Sequence, residues 1–157
     1  MIECKTLDGK TILVPKESLQ LRVSAYAIVF HEEQILLVIT RTTGKWDLPG
    51  GGVDLGEKLA EGLNREVMEE AGIEVEIGRL IHFAEEFFYY EPTDEAFQSY
   101  RFYYLCEPLT TELVADDLVK DDEVETPRWV SIHELQASDF QSYGEMVMQQ
   151  INTIRRG

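Results

Sequence analysis

Basic charge is scarce in this chain: 14 Lys and Arg stand against 30 Asp and Glu, for a net charge of −16. With no basic stripe to displace counterions, long nucleic acid should be repelled except where a metal intervenes. Cysteine is scarcer still. Cys4 and Cys106 form neither a CxxC pair nor a disulfide framework, so both read as reduced thiols and the cytoplasm is the expected location. Long apolar runs are missing too. Ala25 to Phe30 and Ile35 to Ile39 fall far short of the roughly 20 residues that a membrane helix needs, so no membrane partner is expected. The opening MIECKTLDGK lacks the basic segment and apolar core of a signal peptide. Repeats, low-complexity tracts and linkers are absent, and 157 residues suit one domain over 1–157.

What is present is a globular composition, 44% hydrophobic and 10% aromatic. Glu3 to Thr6 and Thr11 to Val14 flank an Asp8-Gly9 turn and read as a hairpin. Arg22 to Phe30 and Gln34 to Thr40 read as a second pair around His31-Glu32-Glu33. Further strands are expected at Glu74 to Ile77, Leu80 to Tyr90, Tyr100 to Glu107 and Glu125 to Val130. Ser131 to Leu135 reads as a short helix capped by Ser131, and Phe140 to Ile154 as a terminal helix. Hairpins interrupted by a helix and closed by another argue for an α/β fold with a mixed sheet between helices.

The chemistry is concentrated in GGVDLGEKLAEGLNREVMEEAGI, residues 51 to 73. Glu57 to Ala71 contains no proline and consists mostly of strong helix formers, with Gly72 as a stop. Leu63, Val67, Ala60 and Ala71 share a core face. Glu70, seven residues after Leu63, projects only about 20° from that leucine. Glu66 lies between Glu70 and Glu69, so three carboxylates border the apolar stripe. Like charges at i,i+4 destabilise a helix by roughly 0.2–0.5 kcal/mol, and burial adds to that unless something compensates. A hard cation with oxygen ligands would do so, and magnesium suits a site whose coordination is shared with phosphate. Taken alone, REVMEE is more simply a solvated acidic face; the matching Gly51, Glu57 and Gly72 reverse that judgement.

Gly51, Glu57, Arg65, Glu66, Val67, Glu69, Glu70, Gly72 and Ile73 fill every specified position of G-x5-E-x7-R-E-U-x-E-E-x-G-U, with U aliphatic. The segment resembles the Nudix box, and the likeness extends from about Arg22 to Leu135. The resemblance implies an α/β/α sandwich with the box as a loop-helix-loop beside the sheet. It also implies a hydrolase that cuts a diphosphate linked to a nucleoside or similar group with a divalent metal, magnesium or alternatively manganese. The substrate expected first is a nucleoside triphosphate; a dinucleoside polyphosphate and a non-catalytic nucleotide sensor are the alternatives. Many relatives pair as homodimers.

The resemblance assigns Glu66, Glu69 and Glu70 to metal, with Gly50 or Gly51 adding a backbone carbonyl. Glu66 is the simplest choice to orient or deprotonate the attacking water. Arg65 would pair with Glu69 or Glu57 and stiffen the ligand edge. Some family members carry a further acid before the last strand; Asp121, Asp122, Glu123 and Glu125 are candidates, with Glu123 and Glu125 favoured. Arg41 is a candidate for a phosphate. Phe87 to Tyr90 is richer in aromatics than a sheet needs, and a spare ring could stack on a base. Of Tyr89 and Tyr90, which alternation places on opposite faces, Tyr89 is favoured.

Overall fold

The computed structural model describes residues 1–121 and 123–156. Its order is β1 (Ile2–Lys5), β2 (Thr11–Val14), β3 (Leu19–His31), β4 (Gln34–Thr40), β5 (Trp46–Asp47), β6 (Gly50–Gly52), α1 (Leu59–Ala71), β7 (Val75–Tyr90), β8 (Glu95–Pro108), β9 (Val124–Ser131) and α2 (Gly144–Arg156). Strands run β2-β1-β7-β8-β3-β4-β5 across a mixed sheet, with β6 added on β3 and β9 on β4. The long β3 is the hinge of this arrangement. It runs parallel to β8 from Leu19↔Ala96 to Val29↔Cys106, and its far end turns back as a hairpin into β4.

Alternation along β3 builds both layers. Ala25, Ala27 and Val29 pack with Leu36, Leu63, Val67 and Ala71 under α1. Tyr26 and Ile28 face the other way, against Ile35, Leu37, Met146, Val147 and Ile151 under α2. The result is the expected α/β/α sandwich. Small residues on the α1 side of β3 let that helix approach closely, and Leu63 fills the space with no exposure. Leu63→Ala would therefore cost about 2–5 kcal/mol. A third, smaller cluster holds the β1–β2 hairpin: Cys4, Val14 and Ala96 are buried there, with Ile2, Ile12, Leu19 and Tyr89 against them. Among the described residues, no helix is long and apolar enough to cross a membrane.

Three local expectations are corrected. Ser131 to Leu135 forms no helix. The Ile132 amide donates to the Glu33 carbonyl and its side chain is buried, so the chain makes a turn there instead of starting a helical ladder. The terminal helix begins at Gly144, because Phe140 is a buried core residue bridged to Trp46. The segments expected at 74–77 and 80–90 are one strand, β7, whose register on β8 shifts between Ile77 and Leu80 and again before His82.

Candidate active site

The turn ahead of α1 sets the positions of two carboxylates. β6 lies antiparallel on β3, pairing Ala25 with Gly51 and Tyr26 with Gly50. Gly50 has φ +147°, and a Cβ there would stand 2.2 Å from the Ala25 carbonyl oxygen. Only glycine fits. The Gly50 amide donates to Glu70 Oε1 at 2.9 Å. At Gly51 a Cβ would lie 2.9 Å from Glu66 Cδ, so the missing side chain is the space that the Glu66 carboxylate occupies.

Glu66 and Glu70 are buried, 9% and 0% exposed, as the spacing from Leu63 predicts. Together with Asp121 they form a group whose ligand oxygens all lie within 4.8 Å of one another. Burial pushes the Glu66 carboxyl up to about 7, partly offset by the Arg65 guanidinium. Burial drives Glu70 well above the ordinary carboxylate range, against its bond from the Gly50 amide. Glu70 Oε2 is buried with no partner among the described residues. An orphaned carboxylate oxygen among like charges is costly unless a cation joins it. The donor set is all oxygen, so the residues present fit a hard divalent ion.

The approach of Asp121 follows from the loop before β9. The Lys120 amide donates to the Glu69 carbonyl at 2.9 Å, docking this loop on the end of α1. Asp121 Oδ1 accepts from the Glu123 amide at 2.7 Å and the Val124 amide at 3.3 Å, which fixes its carboxylate. Among the described acids of this loop it is Asp121, and not the favoured Glu123 or Glu125, that stands with Glu66 and Glu70. Asp122, the remaining acid considered there, lies outside the described residues. Glu123 instead lines the neighbouring cleft.

Arg65 pairs with Glu57 through both Nε and Nη2, at 2.8 and 2.9 Å, and donates to Glu66 Oε1 at 3.1 Å and the Gly52 carbonyl at 3.0 Å. That fork holds the Glu57 carboxyl down to about 2. One cation therefore ties the loop at both ends to the ligand edge. Glu69, expected on the metal, lies at the more exposed margin, 3.4 Å from Arg65 Nη1, and is outside the close group of three.

Arg41 and Glu125 lie against each other. Arg41 Nη1 meets Glu125 Oε2 at 3.0 Å and Nε donates to the Val124 carbonyl at 3.0 Å, so this pair staples β4 to β9 and does not line the cleft. Beside the carboxylates that cleft is walled by Arg22 and Tyr26 from β3, Asp47 from β5, Phe88 and Tyr90 from β7, Arg101 from β8 and Glu123. Tyr89 points the other way, into the hairpin cluster with Cys4 and Val14, so Tyr90 is the ring available to a ligand. Arg22, Asp47 and Arg101 did not emerge from the sequence. Their signal was a charge set inside or beside an aromatic strand: Asp47 follows Trp46, and Arg101 stands between Tyr100 and Phe102.

Comparison with known proteins agrees with this geometry. The NUDIX domain matches the chain over residues 20–150. A MutT-like protein of Streptomyces ambofaciens is 46% identical over 59 residues, 37% of this chain and 38% of its own length. A Bacillus subtilis (strain 168) protein provisionally named an 8-oxo-dGTP diphosphatase is 51% identical over 49 residues, 31% of this chain and 33% of its own. These matches span about a third of the relatives' length. The crystal structure of a MutT Nudix hydrolase from Burkholderia pseudomallei has a TM-score of 0.65 at 25% identity, over 83% of this chain and 98% of that one.

Proposed function

This chain belongs to the Nudix family, and from that premise we propose that it hydrolyses a phosphoanhydride bond of a nucleoside triphosphate, releasing nucleoside monophosphate and pyrophosphate. Residues 1–157 act as one such domain, in the reducing cytoplasm suited to the free, buried Cys4 and Cys106. The observation that carries the reading is Glu70 Oε2, buried beside Glu66 and Asp121 with no partner among the described residues.

Magnesium or manganese held by Glu66, Glu70 and Asp121 would neutralise the charge that gathers on the phosphate oxygens. The remaining work falls to the protein's own groups. Glu66 orients a water and accepts its proton as the water oxygen bonds to phosphorus; the bridging P–O bond breaks and pyrophosphate leaves. Arg65 keeps Glu66 and Glu57 in place. Glu69, at the edge of the group, and the Gly51 carbonyl are the candidates to complete the ligand set. Tyr90 and Phe88 supply an apolar wall for the nucleoside.

The names of the two relatives, MutT-like and 8-oxo-dGTP diphosphatase, support a triphosphate substrate. Tyr89, the ring favoured for base stacking, packs under the N-terminal hairpin, which leaves Tyr90 to the nucleoside. The test is a product assay across a nucleotide panel with magnesium. Pyrophosphate and monophosphate from a triphosphate support the reading; inorganic phosphate with diphosphate, or no turnover of any triphosphate, overturns it.

A further inference from the structure

The floor of the cleft carries a built pair of opposite polarity that the hydrolytic chemistry does not use. Arg101 is held on every side but one. Its guanidinium carbon lies 5.2 Å from the Tyr26 ring centroid and 5.3 Å from that of Tyr143, so the plane is fixed between aromatic rings. Nη1 donates to the Tyr103 hydroxyl at 3.3 Å. Nε lies 3.2 Å from Glu86 Oε1 but off the line of a hydrogen bond, and Glu86 is itself held by the Tyr143 hydroxyl at 2.9 Å. Nη2 makes no hydrogen bond among the described residues, yet is not a buried orphan, so it opens to the cleft that Arg101 lines.

Asp47 has the complementary arrangement. Its Oδ1 accepts from the Leu48 amide at 2.8 Å, while Oδ2 has no partner among the described residues and is likewise not enclosed. A guanidinium can only donate and a carboxylate can only accept. Asp47 and Glu123 face Arg22 and Arg101 across the cleft, so its lining charge is balanced, and with Asp47 beside Arg101 this end suits a neutral polar group of mixed donor and acceptor character. A ring carbonyl beside a ring N–H matches both polarities, and Tyr90 lines the same cleft, where a ring could stack.

We propose that Arg101 Nη2 and Asp47 Oδ2 read the edge of the substrate's base, selecting a lactam edge in which a carbonyl adjoins a ring N–H, as in a 6-oxopurine. This deepens the nucleotide reading given above and rests on it. Arg101 donates to the carbonyl and Asp47 accepts from the N–H.

The probes are monophosphates, whose binding by calorimetry needs no turnover, so a failure here is distinguishable from a failure of the hydrolase reading. Inosine 5′-monophosphate should bind wild type about tenfold or more tighter than purine riboside 5′-monophosphate, which lacks both carbonyl and N–H. The preference should fall to about twofold or less in Asp47→Asn, which preserves size while replacing the accepting oxygen pair, and in Arg101→Gln. Arg101→Gln removes a cation from between acids and can unfold the protein, so the isosteric Asp47→Asn is decisive. A preference that persists in folded Asp47→Asn overturns the proposal, as does equal wild-type binding of the two probes. Adenosine 5′-monophosphate bound as tightly as the inosine nucleotide overturns the lactam assignment.

Discussion

The Gly50 amide donates to Glu70 Oε1 at 2.9 Å, while Oε2 of the same carboxylate is buried with no partner among the described residues. Half of this side chain is thus held by the backbone and half is left for a cation. Glu70→Gln should reduce turnover about 100-fold or more, the scale on which single charge-stabilising groups act, with little loss of melting temperature in the metal-free protein. Glu66→Gln should do likewise. Steady-state kinetics beside a thermal melt checks both, and near-wild-type turnover in either variant removes that residue from the site.

The two adjoining glycines should fail differently. Gly51→Ala drives a Cβ against the movable end of Glu66, so activity should fall while stability changes little. Gly50→Ala meets backbone at 2.2 Å and carries a positive φ, so it should destabilise by about 1–3 kcal/mol or more. Denaturant unfolding of the two variants separates them; equal losses would mean the loop is not built as described.

Metal and pH should be linked through the buried acids. Burial raises the carboxyls of Glu66 to about 7 and Asp47 to about 6, and lifts Glu70 well above the ordinary carboxylate range. A raised folded value stabilises fully below the unfolded value, near 4, and that contribution is lost as pH climbs through about 6 to 7. The melting temperature of the metal-free protein should therefore fall between about pH 5 and 8, and fall less steeply in Glu66→Gln. Added magnesium, which binds the ionised form, should recover more stability at the upper end of that range. Identical slopes for wild type and Glu66→Gln would contradict the burial of an ionisable Glu66.

Tyr90 and Tyr89 should separate binding from folding. Tyr90→Ala should weaken nucleotide binding by about 1–3 kcal/mol with little effect on melting. Tyr89→Ala should loosen the hairpin cluster and lower the melting temperature with the Michaelis constant unchanged. Reversed outcomes would return the base to the Tyr89 face.

What was readable in advance followed from local periodicity. The α1 face, the near-core direction of Glu70 and the Gly72 stop depend on residues within a few turns of one another, and the structure keeps all three: Gly72 is left-handed and its amide donates to the Met68 carbonyl. The choice between Tyr89 and Tyr90 depends on the phase of β7, which two register shifts and contact with a distant hairpin decide. Asp121 could not be told from its acidic neighbours because its position is set by the Lys120–Glu69 backbone bond across the fold. Arg41 is held by Glu125, far along the chain, and nothing in its immediate sequence announces that partner. Parity and long-range pairing, rather than residue type, were the missing information.

Hydrolysis by this chain is expected to depend on a cation held at Glu66, Glu70 and Asp121. Its most direct measurement is the turnover of one nucleoside triphosphate against free magnesium, for wild type, Glu70→Gln and Asp121→Asn side by side. Wild type should be silent in chelator and saturate with magnesium, and both variants should require more magnesium and reach a lower maximum. Full wild-type turnover in excess chelator, or unaltered magnesium curves in both variants, would contradict the account.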